Sequence, residues 1–218
     1  MVIYLYGMAG LGELKMPVYL GMKAPEFTVN TTKGPLVFSS LKGKWVLLFS
    51  HPADFTPVCT TEFLAFTERY EDFKKLGVEL IGLSVDSIYS HIAWMRDIKE
   101  HYGVEIPFPV IADIDKEVAK AYNLFDEKSG VTVRGVFIID PNQVVRWMIY
   151  YPAETGRNMD EILRVVKALQ FNWDKKLATP ANWKPGEAGI AAAPLNLEDS
   201  FQRDKEGSER WYLKRVKA

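Results

Sequence analysis

The residues best equipped for chemistry lie in one short segment, Ser50-His-Pro-Ala-Asp-Phe-Thr-Pro-Val-Cys-Thr-Thr-Glu62, which joins an apolar run to an amphipathic pattern. It contains the only cysteine of the chain, Cys59. A cysteine in the first turn of a helix lies near unpaired backbone N–H groups and the positive end of the helix dipole, and both favour the thiolate. The chemistry on offer is nucleophilic attack by sulfur, or its reversible oxidation. Taken one at a time, the residues also have plainer readings. A lone cysteine is more often an inert core residue. Thr56 reads equally well as a cap at a helix start, and Arg134 as a surface residue opening a strand. His51, beside Pro52, either lies near the sulfur, where it would stabilise an oxidised form, or is a structural histidine bonded to its own loop. His91 and His101 read as packing or surface residues.

These residues need a scaffold, and the hydrophobic pattern predicts one. Residues 27–38 alternate and turn like a short hairpin with Lys33 and Gly34 at the bend. Trp45 to Ser50 is a continuous apolar run that reads as a buried strand. A helix follows, with Phe63, Phe66, Tyr70, Phe73 and Leu76 on one face and Gly77 as its stop. A second buried run, Val78 to Val85, leads to Asp86 and Ser87 as candidate caps. The helix after them carries Ile92, Met95, Ile98 and Tyr102 on one side. A strand at Pro109–Ala112, a helix around Lys116–Tyr122 and two strands, Val133–Asp140 and Val144–Tyr151, come next. A helix from about Asp160 to Phe171, with Asn158 and Glu161 as a capping box, completes the core. Alternating elements closed by an adjacent strand pair predict an α/β sandwich with a central mixed sheet flanked by helices.

Beyond Phe171 the pattern lapses into Pro-, Gly- and Ala-rich sequence. Trp183, Phe201, Trp211, Tyr212 and Leu213 are too apolar for a purely solvated arm, so the tail is expected to pack on the core or on a second subunit. The expected division is an N-terminal extension, residues 1–15, a core domain, 16–171, and a C-terminal arm, 172–218.

Composition narrows the function. The 218 residues carry 27 Lys and Arg against 28 Asp and Glu, a net charge of -1 that gives no bulk attraction to nucleic acid or anionic lipid. A single cysteine excludes an intrachain disulfide and a multi-cysteine zinc site, and C-x-x-C oxidoreductase chemistry with them. The three histidines offer no ligand pair at helical spacing, so neither a metal nor a cofactor is expected. No apolar run approaches membrane-spanning length, and a cytoplasmic protein is the expectation.

The spacing P-x-x-x-T-x-x-C, met here as Pro52, Thr56 and Cys59, resembles the active-site motif of the peroxiredoxin family. The resemblance continues through Gly82-Leu-Ser-Val-Asp86, Val133-Arg-Gly-Val-Phe-Ile-Ile-Asp140 and Gly156-Arg-Asn158, in order along roughly residues 17–190. It implies a thioredoxin-like sandwich with a C-terminal extension. It also implies a peroxidase in which Cys59 attacks peroxide, Thr56 and Arg134 bind and orient it, and Pro52 shields the site. Glu62 and Arg157 match secondary polar positions. The branch resembled is the one-cysteine, peroxiredoxin-6-like one with archaeal members. That branch implies a sulfenic acid on Cys59, reduced by an external thiol or a thioredoxin-like protein, and a homo-oligomer built from dimers, with a decamer as the final state. The phospholipase serine of mammalian members is missing at Gly43-Lys-Trp-Val46, so no lipase activity is expected. The family's usual start matches Met16-Pro-Val-Tyr-Leu-Gly21, which leaves residues 1–15 ahead of it. A thioredoxin-fold redox sensor or holdase is the alternative, to be separated from an enzyme by catalytic turnover.

One magnitude bears on mechanism. Lowering a thiol from a pKa of about 8.5 to about 6 raises the thiolate fraction at neutral pH only roughly 30-fold and weakens the nucleophile as well. A fast peroxidase must therefore gain most of its rate by polarising the O–O bond, the task implied for Arg134 and Thr56.

Overall fold

A computed structural model describes residues 17–217. The N-terminal extension expected at 1–15 lies outside them. The elements run β1 (Thr28–Thr31), β2 (Gly34–Val37), β3 (Trp45–Ser50), α1 (Pro57–Glu68), α2 (Tyr70–Lys75), β4 (Val78–Ser84), α3 (Ile88–Tyr102), β5 (Val110–Ala112), α4 (Glu117–Ala121), β6 (Phe125–Asp126) and β7 (Val131–Thr132). They continue with β8 (Arg134–Ile139), β9 (Val145–Tyr151), α5 (Met159–Lys175), β10 (Gly189–Ile190), α6 (Leu197–Lys205) and β11 (Arg215–Val216).

Seven strands form one mixed sheet in the order β2-β1-β5-β4-β3-β8-β9. β3, β4 and β5 are parallel, as the helical crossovers α1–α2 and α3 require, and β8 and β9 add antiparallel on the other side of β3. Strand β3 is buried on both faces. Its alternation sends Trp45, Leu47 and Phe49 into a core shared with α1, α2, α3 and α5, and Val46 and Leu48 into a second core with Phe27, Phe38 and Tyr122. This is the predicted α/β, thioredoxin-like sandwich.

Two predicted helices differ from expectation. The helix after Cys59 breaks at Arg69, whose φ and ψ of -94° and 3° end α1 and start α2. The break re-aims the chain without changing the face, since Phe63, Phe66 and Phe73 are buried together and Tyr70 and Leu76 pack beside them. Gly77, at φ 66°, follows α2 in the left-handed conformation that a glycine adopts without Cβ strain. In α3 the buried side is His91, Trp94 and Ile98, whereas Ile92 and Tyr102 are exposed. The expected Ile98 is in the core and Met95 packs against it, so half of the expected face is kept and the buried side is turned from Ile92 and Tyr102 toward His91 and Trp94. The reason is a polar anchor: His91 reaches a buried carboxylate, and Trp94 fills the space beside Phe63, with ring centroids 4.5 Å apart. Ser87, one of the two predicted caps, accepts from the Ser90 amide, and Asp86 instead accepts from Ser84 Oγ and the Asp54 amide.

Helix α5 begins at the predicted Asn158, whose Oδ1 accepts from the Asp160 and Glu161 amides. The reciprocal half of the box is absent, because Glu161 pairs with Arg164 instead. In the tail, Trp183 packs on Phe171 of α5 with ring centroids 5.0 Å apart, and β10 pairs with β11. Phe201, Trp211 and Tyr212 stay exposed.

Candidate active site

The segment from Ser50 to Glu62 leaves the sheet at the end of β3 and enters α1 at Pro57. Proline suits the first helical turn, where its missing N–H costs nothing. Thr56 is the N-cap residue, but its hydroxyl donates to Ala53 O at 2.8 Å and makes no capping bond. The first amide bonded to its carbonyl is Thr60 N, at 3.0 Å, so the amides of Val58 and Cys59 belong to the open first turn. Cys59 follows on the inner face of the helix and is 1% exposed. The preceding Phe55 has φ 55°, a left-handed conformation uncommon for a bulky residue and a mark of a tightly held turn.

Three charged side chains converge behind the sulfur, all buried. Arg134, which opens β8, places Nη1 3.7 Å from Cys59 Sγ and bonds the same nitrogen to Glu62 Oε2. Its Nη2 donates to Ala153 O at 2.7 Å. Glu62, one turn after Cys59 on α1, also accepts from Arg157 Nε at 2.8 Å, Nη2 at 2.5 Å and the Arg157 amide at 2.9 Å. Arg157 Nη1 in turn donates to Ser50 O and Gly135 O, locking the site to the ends of β3 and β8. Burial pushes the Arg157 guanidinium down from its usual value, and Glu62 opposes that shift. Two guanidiniums and one carboxylate leave the cluster one positive charge in excess, which a negative sulfur would neutralise.

Residues 20–148 match the AhpC/TSA family, and residues 168–206 match the C-terminal domain of 1-Cys peroxiredoxin. A peroxiredoxin of Thermoplasma volcanium is 76% identical over 203 residues, covering 93% of this chain and 100% of that protein. The chain belongs to the peroxiredoxin family. Peroxiredoxin 2 of Thermoplasma acidophilum is 75% identical, over 91% of this chain and 100% of its own length. Among solved structures, a yeast mitochondrial 1-Cys peroxiredoxin superposes with a TM-score of 0.82 at 39% identity, covering 92% of this chain and 100% of the other. A cysteine-to-serine mutant of peroxiredoxin 6 from Arenicola marina superposes at 0.77 and 42% identity, covering 85% and 88%. This peroxiredoxin is a thiol-dependent peroxidase.

The structure brings Cys59, Arg134, Glu62 and Arg157 into contact and sets Thr56 one turn before the sulfur. Arg134 is not the surface residue that its position at a strand start suggested, since it is 1% exposed. Pro52 is half-buried, and Phe55, three residues on, is 57% exposed. His51 is fully buried. Its Nε2 bonds to Asp54 Oδ1 at 2.9 Å, and its ring packs on Phe63 and Trp94, the arrangement of a structural histidine bonded to its loop. His101 is exposed on α3, as a surface residue.

Asp54 is the residue that the sequence did not single out. His91, distant in sequence, also reaches it, with Nδ1 at 2.8 and 3.0 Å from the two carboxylate oxygens. Two of the three histidines thus converge, contrary to their scatter along the chain, and His51, Asp54 and His91 offer ligand atoms within 4.8 Å of one another. The observed N···O distances, 2.8–3.0 Å, are those of direct hydrogen bonds. The signal available in the sequence was only that Asp54 lies inside the P-x-x-x-T-x-x-C spacing.

Proposed function

We propose that Cys59 is the peroxidatic nucleophile and that Arg134, Thr56 and the first turn of α1 form the peroxide-binding surface. The observation that carries this reading is the buried cysteine held against Arg134 by a cluster with one positive charge in excess. In the reaction the Cys59 thiolate attacks the distal oxygen of a hydroperoxide. The S–O bond forms as the O–O bond breaks, and the departing alkoxide or hydroxide takes up a proton. Arg134 and the open amides of Val58 and Cys59 face the charge that develops on those oxygens. The Thr56 hydroxyl, donating to Ala53 O, keeps its lone pairs free to accept from the peroxide proton. Glu62 and Arg157 act through Arg134, by fixing the guanidinium in place. Pro52 forms part of the wall.

With one cysteine in the chain, the Cys59 sulfenic acid has no resolving partner in the same subunit. An external thiol attacks it, releasing water and forming a mixed disulfide. A second thiol then frees Cys59 and departs as the disulfide. The yeast neighbour's structure is described as explaining thiol resolution through glutathione and thioredoxin systems. For this chain we propose a low-molecular-weight thiol or a thioredoxin-like protein acting in the cytoplasm, and a division at about Phe171 into a peroxidase domain and a C-terminal arm. Exposed Phe201, Trp211 and Tyr212 support an arm that covers a neighbouring subunit in a dimer, with five dimers in the complete ring.

The test is the Cys59→Ser variant with hydrogen peroxide and a supplied thiol. Loss of turnover with an unchanged circular dichroism spectrum is expected, and consumption above the buffer rate would refute the assignment. Repeated turnover by the native protein separates the enzyme from a sensor, which would consume one equivalent.

A further inference from the structure

Asp54 lies in the loop between β3 and α1 and touches none of the reacting groups, yet it is the point on which three elements close. Its Oδ1 bonds to His51 Nε2 at 2.9 Å, at the end of β3. Both of its oxygens meet His91 Nδ1 on α3, and His91 Nε2 continues to Ile111 O of β5 at 3.1 Å. The Asp54 amide donates to Asp86 Oδ2 at 3.2 Å, which ties the same residue to the end of β4 through Ser84. Both histidine rings and the Asp54 side chain are shut off from solvent. Burial works against ionisation of Asp54, but the hydrogen bonds and charges of His51 and His91 outweigh it and hold the carboxyl below its usual range.

The next two residues are Phe55, in its left-handed conformation, and Thr56. A non-glycine residue keeps such a conformation only where its surroundings over-determine it. Here the anchors are Asp54 on one side and the bond from Thr56 Oγ1 to Ala53 O on the other. We infer that Asp54 is a positioning residue of the peroxidase reaction, which through His51 and His91 fixes the turn that aims Thr56 and the first amides of α1 at the peroxide. This rests on the reading of Thr56 as a peroxide-binding group.

The experiment compares two reactions of the same sulfur in the full-length protein. One is the single-turnover rate of Cys59 oxidation by hydrogen peroxide, followed by intact mass. The other is the rate of Cys59 alkylation by iodoacetamide, which needs the thiolate but no aimed hydroxyl. Asp54→Ala is expected to slow oxidation by roughly a hundredfold, the cost of a misplacement near 1 Å, while alkylation holds or rises. Asp54→Asn should recover most of the rate. Its amide oxygen can accept from His51 and its NH2 can donate to His91 Nδ1, with His91 Nε2 still donating to Ile111 O. A purely structural role predicts instead that both reactions change by the same factor, and that outcome, or an unchanged oxidation rate, overturns the inference. If Asp54→Ala does not fold, His91→Phe keeps a ring of similar volume while removing one anchor, and the same divergence of rates is expected. Thr56→Val is the control. If it fails to slow oxidation relative to alkylation, the reading of Thr56 is wrong and the inference falls with it. If Thr56→Val is selective and the Asp54 variants are not, only the inference is wrong.

Discussion

Arg134 meets Cys59 and Glu62 with one and the same nitrogen, Nη1, so the guanidinium that faces the sulfur is held from behind by a buried carboxylate. Glu62 lies on the same helix as Cys59, and Arg157 grips both of its oxygens. The position of the cation relative to the sulfur is therefore set within one turn of α1, before any substrate arrives.

The first prediction concerns Glu62→Gln. It removes the carboxylate charge shared by two buried guanidiniums, and breaking a buried ion pair from one side typically costs about 3–5 kcal/mol. Urea unfolding should show a loss of that order, and stopped-flow oxidation of Cys59 should slow because Arg134 loses its support. A variant as stable and fast as the native protein would show that the cluster is held by Arg157 and the backbone alone.

Arg134→Ala separates two roles of the cation. If Arg134 polarises the O–O bond, oxidation by peroxide stays slow at alkaline pH, where a thiol is ionised without help. Recovery of the native rate at high pH would restrict Arg134 to stabilising the thiolate.

Gly135 follows Arg134 and is the point of closest packing near the site. A Cβ there would run into Leu124 Cδ2 and lie 3.4 Å from Ser50 Oγ, and Leu124 is itself buried. Gly135→Ala should destabilise the protein by about 1–3 kcal/mol through overpacking, measured as a lower urea midpoint at unchanged slope. A paired Leu124→Ala substitution should return part of the loss, and no recovery would place the strain elsewhere.

Stability should fall on the acid side in two stages. Burial lowers His51 from its usual value of 6.5, with only partial opposition from Asp54. As pH drops below that value, the unfolded chain takes a proton that the folded one refuses, so stability decreases. Asp54 is held below its usual 3.8 by His51 and His91 despite burial. Its contribution is complete above that pH and is lost as pH falls below it, towards the folded value. Thermal melts from pH 8 to pH 3 should show both declines, and a flat profile between pH 7 and 5 would contradict the first.

The tail is tested by truncation. Trp183 packs on Phe171 within its own chain, so a cut after Phe171 would also uncover the core, whereas removal of 192–218 leaves that contact in place. The shorter deletion should lower the subunit number in sedimentation while the remaining chain stays folded. An unchanged assembly would make the arm a cover for its own subunit.

The sequence alone determined the alternation of elements and the mixed sheet, because these follow from local periodicity, and it singled out Cys59 as the candidate nucleophile through the resemblance carried by Pro52, Thr56 and Cys59. Arg134 and Glu62 were legible only through resemblance, since nothing local marks a residue at a strand start or mid-helix as buried and paired. The break at Arg69, the rotation of α3 and the meeting of His51 and His91 on Asp54 were decided by the tertiary structure. In α3 the apolar count favoured Ile92 and Tyr102, but a histidine with a buried carboxylate to reach and a tryptophan with a cavity to fill set the helix face instead. Hydrophobic periodicity is a property of one segment. Pairing of buried polar groups depends on which segments the sheet brings side by side, and that is known only when β3, β4 and β5 are in register.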